Sequence, residues 1–202
     1  MALFIDILTI QLITMGIGFL TFAYGLIKTF LVHSTVQDYR NAIKPQYMPL
    51  LLLGLFMSIT GFYGMLLWPL PSSYNILFYD LYPVLGLGII GIALSIKNEY
   101  KLEHLGFMAL LFGLVTIYYG VQGYLHNMTL EPTALLALYT LTGLASIFFY
   151  PVAIFLDNGK WNKIWLIVDA VLLILAGLLA GYIGIEAVGE HLVAFSKWTP
   201  FI

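Results

Sequence analysis

Residues 61–88 read GFYGMLLWPLPSSYNILFYDLYPVLGLG, and the rest of the chain is organised around this stretch. It holds the end of one apolar run, a proline-rich turn and the start of a second apolar run. Proline fixes φ and lacks a backbone N–H, so Pro69 and Pro71 favour a tight turn between the runs. The stretch therefore predicts two helices joined as a hairpin.

The composition places the chain in a lipid bilayer. Of its 202 residues, 61% are hydrophobic and only 9% are charged, whereas about a quarter of a soluble domain is charged. The chain begins without a cationic segment before its first apolar run, and we expect no cleaved signal peptide. It contains no cysteine, which excludes disulfides, thiolate metal sites and cysteine nucleophiles. No basic run suggests a nucleic-acid partner.

Six apolar runs have the length of a membrane-spanning helix, which is about 20 residues. They cover residues 4–32, 47–68, 76–96, 105–125, 133–156 and 164–186. Because a backbone in lipid must hydrogen-bond to itself, these runs predict an all-α transmembrane bundle in a single domain. The connections are too short for a separate soluble domain. We expect residues 187–202 to form a tail at the membrane interface.

Basic residues flank the odd connections and are missing from the even ones. They are Lys28, Arg40 and Lys44 at the first connection, Lys97 and Lys101 at the third, and Lys160 and Lys163 at the fifth, with Lys197 in the tail as the exception. Because basic loops stay in the cytoplasm, this pattern predicts a multi-pass protein of the cell membrane with both termini outside.

Glycines repeat along the chain. Gly54, Gly61 and Gly64 match Gly113, Gly120 and Gly123 at one constant offset, and residues 79–81 match 139–141 after one insertion. The second and third runs therefore resemble the fourth and fifth, as a hairpin repeated in one orientation. Gly181 and Gly184 repeat the Gly-x-x-Gly spacing. If the first run packs on the sixth, three hairpins surround a pseudo-threefold axis. Glycines that line one face of a helix let a neighbouring helix pack closely against it. The alternative interpretation is that they leave an open path along that face.

The segment WPLPSSYNILFYDLYP, residues 68–83, together with six helices and basic odd connections, carries a family resemblance. It resembles an uncharacterised family of archaeal membrane proteins known as a domain of unknown function. The resemblance implies the fold, a membrane location and an archaeal source. It assigns no catalytic residue.

Ionisable and polar residues within or beside the runs are the candidate site residues, because a charge in hydrocarbon costs roughly 3 kcal/mol or more. Candidates for a cation or proton site are Asp80, His126, Glu186, Glu190 and His191. Candidates for a polar lining are Tyr79, Tyr82, Tyr182 and Asp169. The alternatives are solvated or capped helix ends for the ionisable groups, and packing or interfacial anchoring for the tyrosines.

The same residues argue against catalysis and against a bound metal or cofactor. No histidine pair has the helical spacing of a zinc site, and the histidines lie at helix ends rather than where haem ligands are expected. Asp80 and Asp169 differ in depth by roughly 15 Å at 1.5 Å per residue, too far to share a proton as an aspartyl protease requires. We therefore predict no enzyme activity and no cofactor.

Two functions remain open. The first is a small cation or proton transporter or channel in which Asp80, His126 and Glu186 converge in an outward-facing acidic vestibule. The second is a non-catalytic membrane subunit or scaffold of a larger complex, for example a respiratory complex. The lipid bilayer is the expected partner in both cases. Membrane-protein partners and self-association are compatible with either.

Overall fold

The structure, a computed structural model, describes residues 7–32, 41–158, 163–194 and 196. The helices are α1 (Leu8–Val32), α2 (Tyr47–Leu67), α3 (Tyr74–Tyr79), α4 (Tyr82–Asn98), α5 (Glu103–Leu125), α6 (Pro132–Asp157) and α7 (Lys163–Ala194), with a 3₁₀ turn over Lys44–Gln46 before α2. The described residues contain no strand. Six helical spans are long and apolar enough to cross a membrane, with α3 and α4 together making the third. The prediction of an all-α membrane bundle with six spans is confirmed.

Two helix boundaries differ from the predicted runs. The third span begins at Tyr74, and it breaks at Asp80 and Leu81 between α3 and α4. Pro83 lies at the start of α4, where its missing N–H costs no helical hydrogen bond. At the other end of the chain, α7 continues to Ala194, so much of the predicted interfacial tail is helical. Residues 4–6 of the first run and residues 195 and 197–202 of the tail lie outside the described residues.

The spans pack as three antiparallel pairs: α1 with α7, α2 with α4, and α5 with α6. A glycine from each helix meets the other at each crossing, as Gly16 with Gly177, Gly54 with Gly86, and Gly113 with Gly143. A Cβ built on Gly113 would lie 2.5 Å from the Gly143 carbonyl oxygen, and one on Gly143 would lie 2.6 Å from that of Gly113. Side chains are excluded at these points, which is how small residues bring helix backbones together in lipid.

The predicted packing glycines lie at contacts between helices, with one exception. A built Cβ would come closer than 3 Å to a neighbouring element at Gly54, Gly61, Gly64, Gly113, Gly120, Gly123 and Gly184. At Gly181 a built Cβ meets no atom within 4 Å. The backbone nitrogen of Gly181 nevertheless lies 2.9 Å from a Cβ built on Gly16, so this glycine is also part of the α1–α7 contact.

The repeat stays a prediction, and the crossings favour a different register from the one read in the sequence. Gly54 contacts Gly86 and Ile90 one turn later, and Gly113 likewise contacts Gly143 and Ile147. Aligning these contacts places Tyr79 opposite Leu136 rather than Tyr139. The hairpins also differ in that α6 is continuous, whereas its counterpart is broken into α3 and α4.

The three pairs enclose a common core, and some neighbouring pairs are in closer contact than others. Contacts of α1 with α2 and of α6 with α7 join neighbouring pairs, while α4 and α5 contact each other at only a few positions. We call the end where α1, α4 and α6 finish the lysine-rich end, because Lys44, Lys97, Lys101 and Lys163 lie there. The seam between α4 and α5 is the loosest of these contacts, and it borders the cavity described next.

Candidate functional site

A cavity of about 160 Å³ lies between the helices, lined mainly by α1, α4, α5, α6 and α7, with Leu50 of α2 and Phe78 of α3. Its wall on α1 extends from Leu8 to Phe22, and its wall on α6 extends from Leu138 to Phe149. At 1.5 Å per residue, the lined part of α1 corresponds to roughly 20 Å. The cavity is therefore elongated along the helices, and we call it the central cavity.

The wall of the central cavity is mainly aliphatic and aromatic. Phenylalanines from four helices contribute to it: Phe19 and Phe22 of α1, Phe78 of α3, Phe112 of α5 and Phe149 of α6. Polar side chains are few, and an apolar wall with a few placed polar groups is the usual composition of a small-molecule site.

Two tyrosine hydroxyls on this wall are already engaged within the protein. Tyr82 donates to the backbone carbonyl of Gln11 at 3.1 Å, linking α4 to α1. Tyr139 donates to the carbonyl of Leu77 at 2.6 Å, linking α6 to α3. Both hydroxyls hold helices together at the break of the third span, so neither is free to bind another molecule through its proton.

Three other polar side chains on the wall have no such partner. Asp169 of α7 is fully buried, and neither of its carboxyl oxygens has a hydrogen-bond partner among the described residues. The side-chain amide of Gln11, 1% exposed, and the hydroxyl of Thr142 are likewise unsatisfied in the described part of the chain. Buried polar groups are normally hydrogen-bonded, so these three side chains make the central cavity the candidate site of this protein.

Of the three groups, the Asp169 carboxylate costs the most free energy to bury. A bare carboxylate in an apolar interior loses its hydration and needs compensation from a partner. No described residue forms an ion pair or hydrogen bond with Asp169. A proton on the carboxyl, a cation held against it or a bound water molecule would supply that compensation.

The five residues predicted for a cation or proton site do not line the central cavity. Asp80 lies at the break between α3 and α4, where its Oδ2 accepts a hydrogen bond from the Tyr119 hydroxyl at 2.9 Å. His126 caps the end of α5 and is exposed, as are Glu186 and Glu190 on α7. His191 Nδ1 lies 3.0 Å from the Thr9 hydroxyl. The described residues contain no group of three His, Cys, Asp or Glu able to hold a metal ion. The acidic vestibule stays a prediction.

Of the four residues predicted as a polar lining, two line the central cavity and two do not. Asp169 and Tyr82 line the central cavity. Tyr79 is fully buried and packs against Gly64, while Tyr182 is 62% exposed on α7. The sequence reading missed Gln11, although an amide within an apolar run is itself a signal of a buried polar site.

A second pocket, of about 30 Å³, lies at the lysine-rich end. Glu99 and Asp157 contribute acidic groups to its wall. Phe22, Ile92 and Phe149 line this pocket and the central cavity as well. These three apolar side chains therefore separate the two spaces, and we call them the apolar partition.

Ionic and capping contacts hold the helix ends around the second pocket. Lys44 Nζ lies 2.6 Å from Glu99 Oε1, which ties the start of α2 to the end of α4. Asp157 Oδ2 accepts a hydrogen bond from the backbone N–H of Glu103 at 2.7 Å, which ties the end of α6 to the start of α5. Each contact closes the antiparallel pair to which its helices belong.

The comparison with family models now identifies the chain. The model described as protein of unknown function (DUF981) matches residues 1–194. This chain belongs to the DUF981 family. The match confirms the resemblance to a family of unknown function and covers every described helix. No curated protein and no solved structure matches the chain.

Proposed function

We propose that the protein is a small transporter or channel that moves a cation or proton through the central cavity. The carrying observation is Asp169, a fully buried carboxyl without a partner among the described residues, on the wall of that cavity. Ionisable residues inside membrane spans commonly mark ion pathways and proton relays, because a group that is so costly to desolvate is usually retained for a function.

The dimensions of the cavity support such a path. Its roughly 20 Å length along α1 is a large part of the 30 Å thickness typical of a hydrocarbon core. Beyond the apolar partition, the second pocket brings Glu99 and Asp157 to the same route. Glu99 is already paired with Lys44, so the preference for cations over anions as the moving species rests on the Asp169 carboxyl within the low-dielectric passage.

In this proposal Asp169 is the central site, and the predicted residues Asp80, His126 and Glu186 contribute at the opposite end. Asp80 and Tyr119 lie at the break in the third span, where an irregular backbone borders the bundle interior. Broken helices beside a cavity are a recurring feature of transporters. The break therefore favours transport over a plain scaffold, for which continuous helices would suffice.

Flux measurements in proteoliposomes test the proposal. We expect Asp169→Asn to reduce proton or cation flux at least tenfold relative to the native chain, because the neutral amide cannot exchange a proton or balance a cation. Asp80→Asn should reduce flux less, and Glu131→Gln, at an exposed residue before α6, should leave it unchanged. Flux of the native protein no greater than in protein-free liposomes would remove the transport function.

A membrane subunit or scaffold is the second candidate, and the exposure of α5 favours it. Only 17% of its membrane-spanning window is buried, less than for any other span. Its exposed face carries large side chains such as Phe107, Tyr118 and Leu125. Site-specific photo-crosslinking from Phe107 and Tyr118 in native membranes separates the candidates. A stoichiometric protein adduct would favour the subunit, whereas lipid adducts alone would leave α5 a lipid-facing helix.

A further inference from the structure

We infer that the central cavity binds a small organic cation, a protonated amine on an apolar body, with the Asp169 carboxylate as its counter-charge. The inference names a substrate class for the cavity and rests on the proposed function for its role in transport. Binding itself is a separate property, measurable without flux.

The need for a positive group comes from Asp169. Its two oxygens are buried and have no partner among the described residues, and Asp169 is one of the residues that line the central cavity. A buried carboxylate becomes favourable when a cation lies against it with hydrogen bonds to its oxygens. An ammonium group supplies up to three N–H donors for this purpose.

The composition of the wall favours an organic cation over a metal ion. Calcium needs six to eight oxygen ligands, and potassium sites replace hydration with rings of carbonyls. The wall of the central cavity is instead dominated by apolar side chains such as Phe19, Phe22, Phe149 and Leu173. Phenylalanine faces attract ammonium groups through cation–π interactions, and the same rings pack against an apolar body. A metal ion has no use for that surface.

The size of the cavity limits the ligand. Its volume of about 160 Å³ is close to that of the engineered cavity of about 150 Å³ that binds benzene. The elongated shape admits a benzene-sized body with a short aminoalkyl arm.

Amphiphilic amines of this size also have a route from the bilayer. The loose seam between α4 and α5 borders the cavity, and Gly88 of α4 lies on its wall. A Cβ built on Gly88 meets no atom within 4 Å. The missing side chain of Gly88 therefore leaves space that a ligand can fill. The glycines at the helix crossings differ, because there the missing side chain lets two backbones touch.

Isothermal titration calorimetry on the purified full chain in detergent tests the inference. The probes are 2-phenylethylammonium, the neutral analogue 2-phenylethanol, and sodium or potassium chloride. We expect saturable binding of the ammonium probe, at least tenfold tighter than that of the alcohol, and none of the inorganic cations. Asp169→Asn should weaken the ammonium probe at least tenfold and leave the alcohol unchanged.

Two glycine variants keep the test decisive if Asp169→Asn fails to fold. Gly88→Leu should fill the cavity and abolish binding of both organic probes. Gly189→Leu adds the same side chain where a Cβ also meets no atom within 4 Å, on the exposed part of α7, and should bind like the native chain.

Three results would overturn the inference: no saturable binding by the native chain, equal ammonium affinity in native and Asp169→Asn chains, or unchanged binding in Gly88→Leu. Proton or metal-ion flux without amine binding would keep the proposed function and remove this inference. Amine binding without flux would keep this inference and remove the proposed function.

Discussion

The rings of Phe22 and Phe149 meet edge to face between α1 and α6, with centroids 5.9 Å apart and planes inclined at 66°. Both rings line the central cavity and the second pocket. With Ile92 they form the apolar partition, so the pair stands where a solute would have to pass between the two spaces. On the transport path that we propose, an apolar constriction at this position would close the path by excluding water.

Phe149→Ala should open the apolar partition. Loss of the ring joins the two spaces, and we expect flux in proteoliposomes to rise several-fold while selectivity among cations falls. The same change should lower the free energy of unfolding by about 3–5 kcal/mol, the usual cost of truncating a buried phenylalanine. Phe107→Ala, in a half-exposed ring on α5, is the control and should leave flux unchanged. Equal flux in the native chain and Phe149→Ala would show that the partition is no barrier.

Gly113→Ala should destabilise the α5–α6 pair. Its methyl group would lie 2.5 Å from the Gly143 carbonyl oxygen, so the backbones would have to separate. Forcing atoms into a packed contact typically costs 1–3 kcal/mol, and we expect a matching fall in the midpoint of thermal unfolding in detergent. Gly189→Ala on α7 should leave that midpoint unchanged, since its added methyl meets no atom within 4 Å.

The glycines predicted from the repeat should behave alike in the two hairpins. A Cβ on Gly61 would lie 2.8 Å from the Pro83 nitrogen, and one on Gly120 would lie 2.5 Å from the Tyr139 Cβ. Gly61→Leu and Gly120→Leu should therefore each lower the yield of folded protein in a size-exclusion assay, by more than the corresponding alanine variants. A Leu variant as stable as the native chain would contradict the close contact at that site.

Tyr139→Phe should loosen the contact between α6 and the end of α3. The hydroxyl donates to the Leu77 carbonyl at 2.6 Å, and membrane hydrogen bonds measured by double-mutant cycles average about 0.6 kcal/mol. We expect a loss of stability of about 0.6–2 kcal/mol with the fold retained. Tyr118→Phe, in a 61% exposed ring on α5, is the matched control and should have no such effect in the same unfolding assay.

The orientation of the bundle is open to direct chemical measurement, because the chain has no cysteine. Single cysteines at Ser72 and Asn98 occupy exposed positions at opposite ends of the third span. An impermeant maleimide applied to intact cells should label the Ser72→Cys chain and spare the Asn98→Cys chain. The reverse pattern would place the lysine-rich end outside and contradict the orientation predicted from the basic residues.

The sequence identified some residues of the central cavity and not others, because it does not show how each helix is rotated about its own axis. Asp169 and Asp80 were both visible as acids within or beside apolar runs. Only Asp169 lines the central cavity, while Asp80 bonds to Tyr119. Depth along a helix follows from counting residues, but the direction in which a side chain points depends on which neighbours the helix packs against.

The membrane location, the all-α class and the six spans were determined by the sequence alone. Length and hydrophobicity decide them locally, because a backbone in lipid has no other way to satisfy its hydrogen bonds. Tertiary structure decided which glycines meet, such as Gly86 with Gly54. It also decided that the apolar partition separates two spaces and that Asp169 borders one of them. These features depend on contacts between helices distant in sequence, where in lipid the fit of backbones and side chains, rather than hydrophobicity, selects the arrangement.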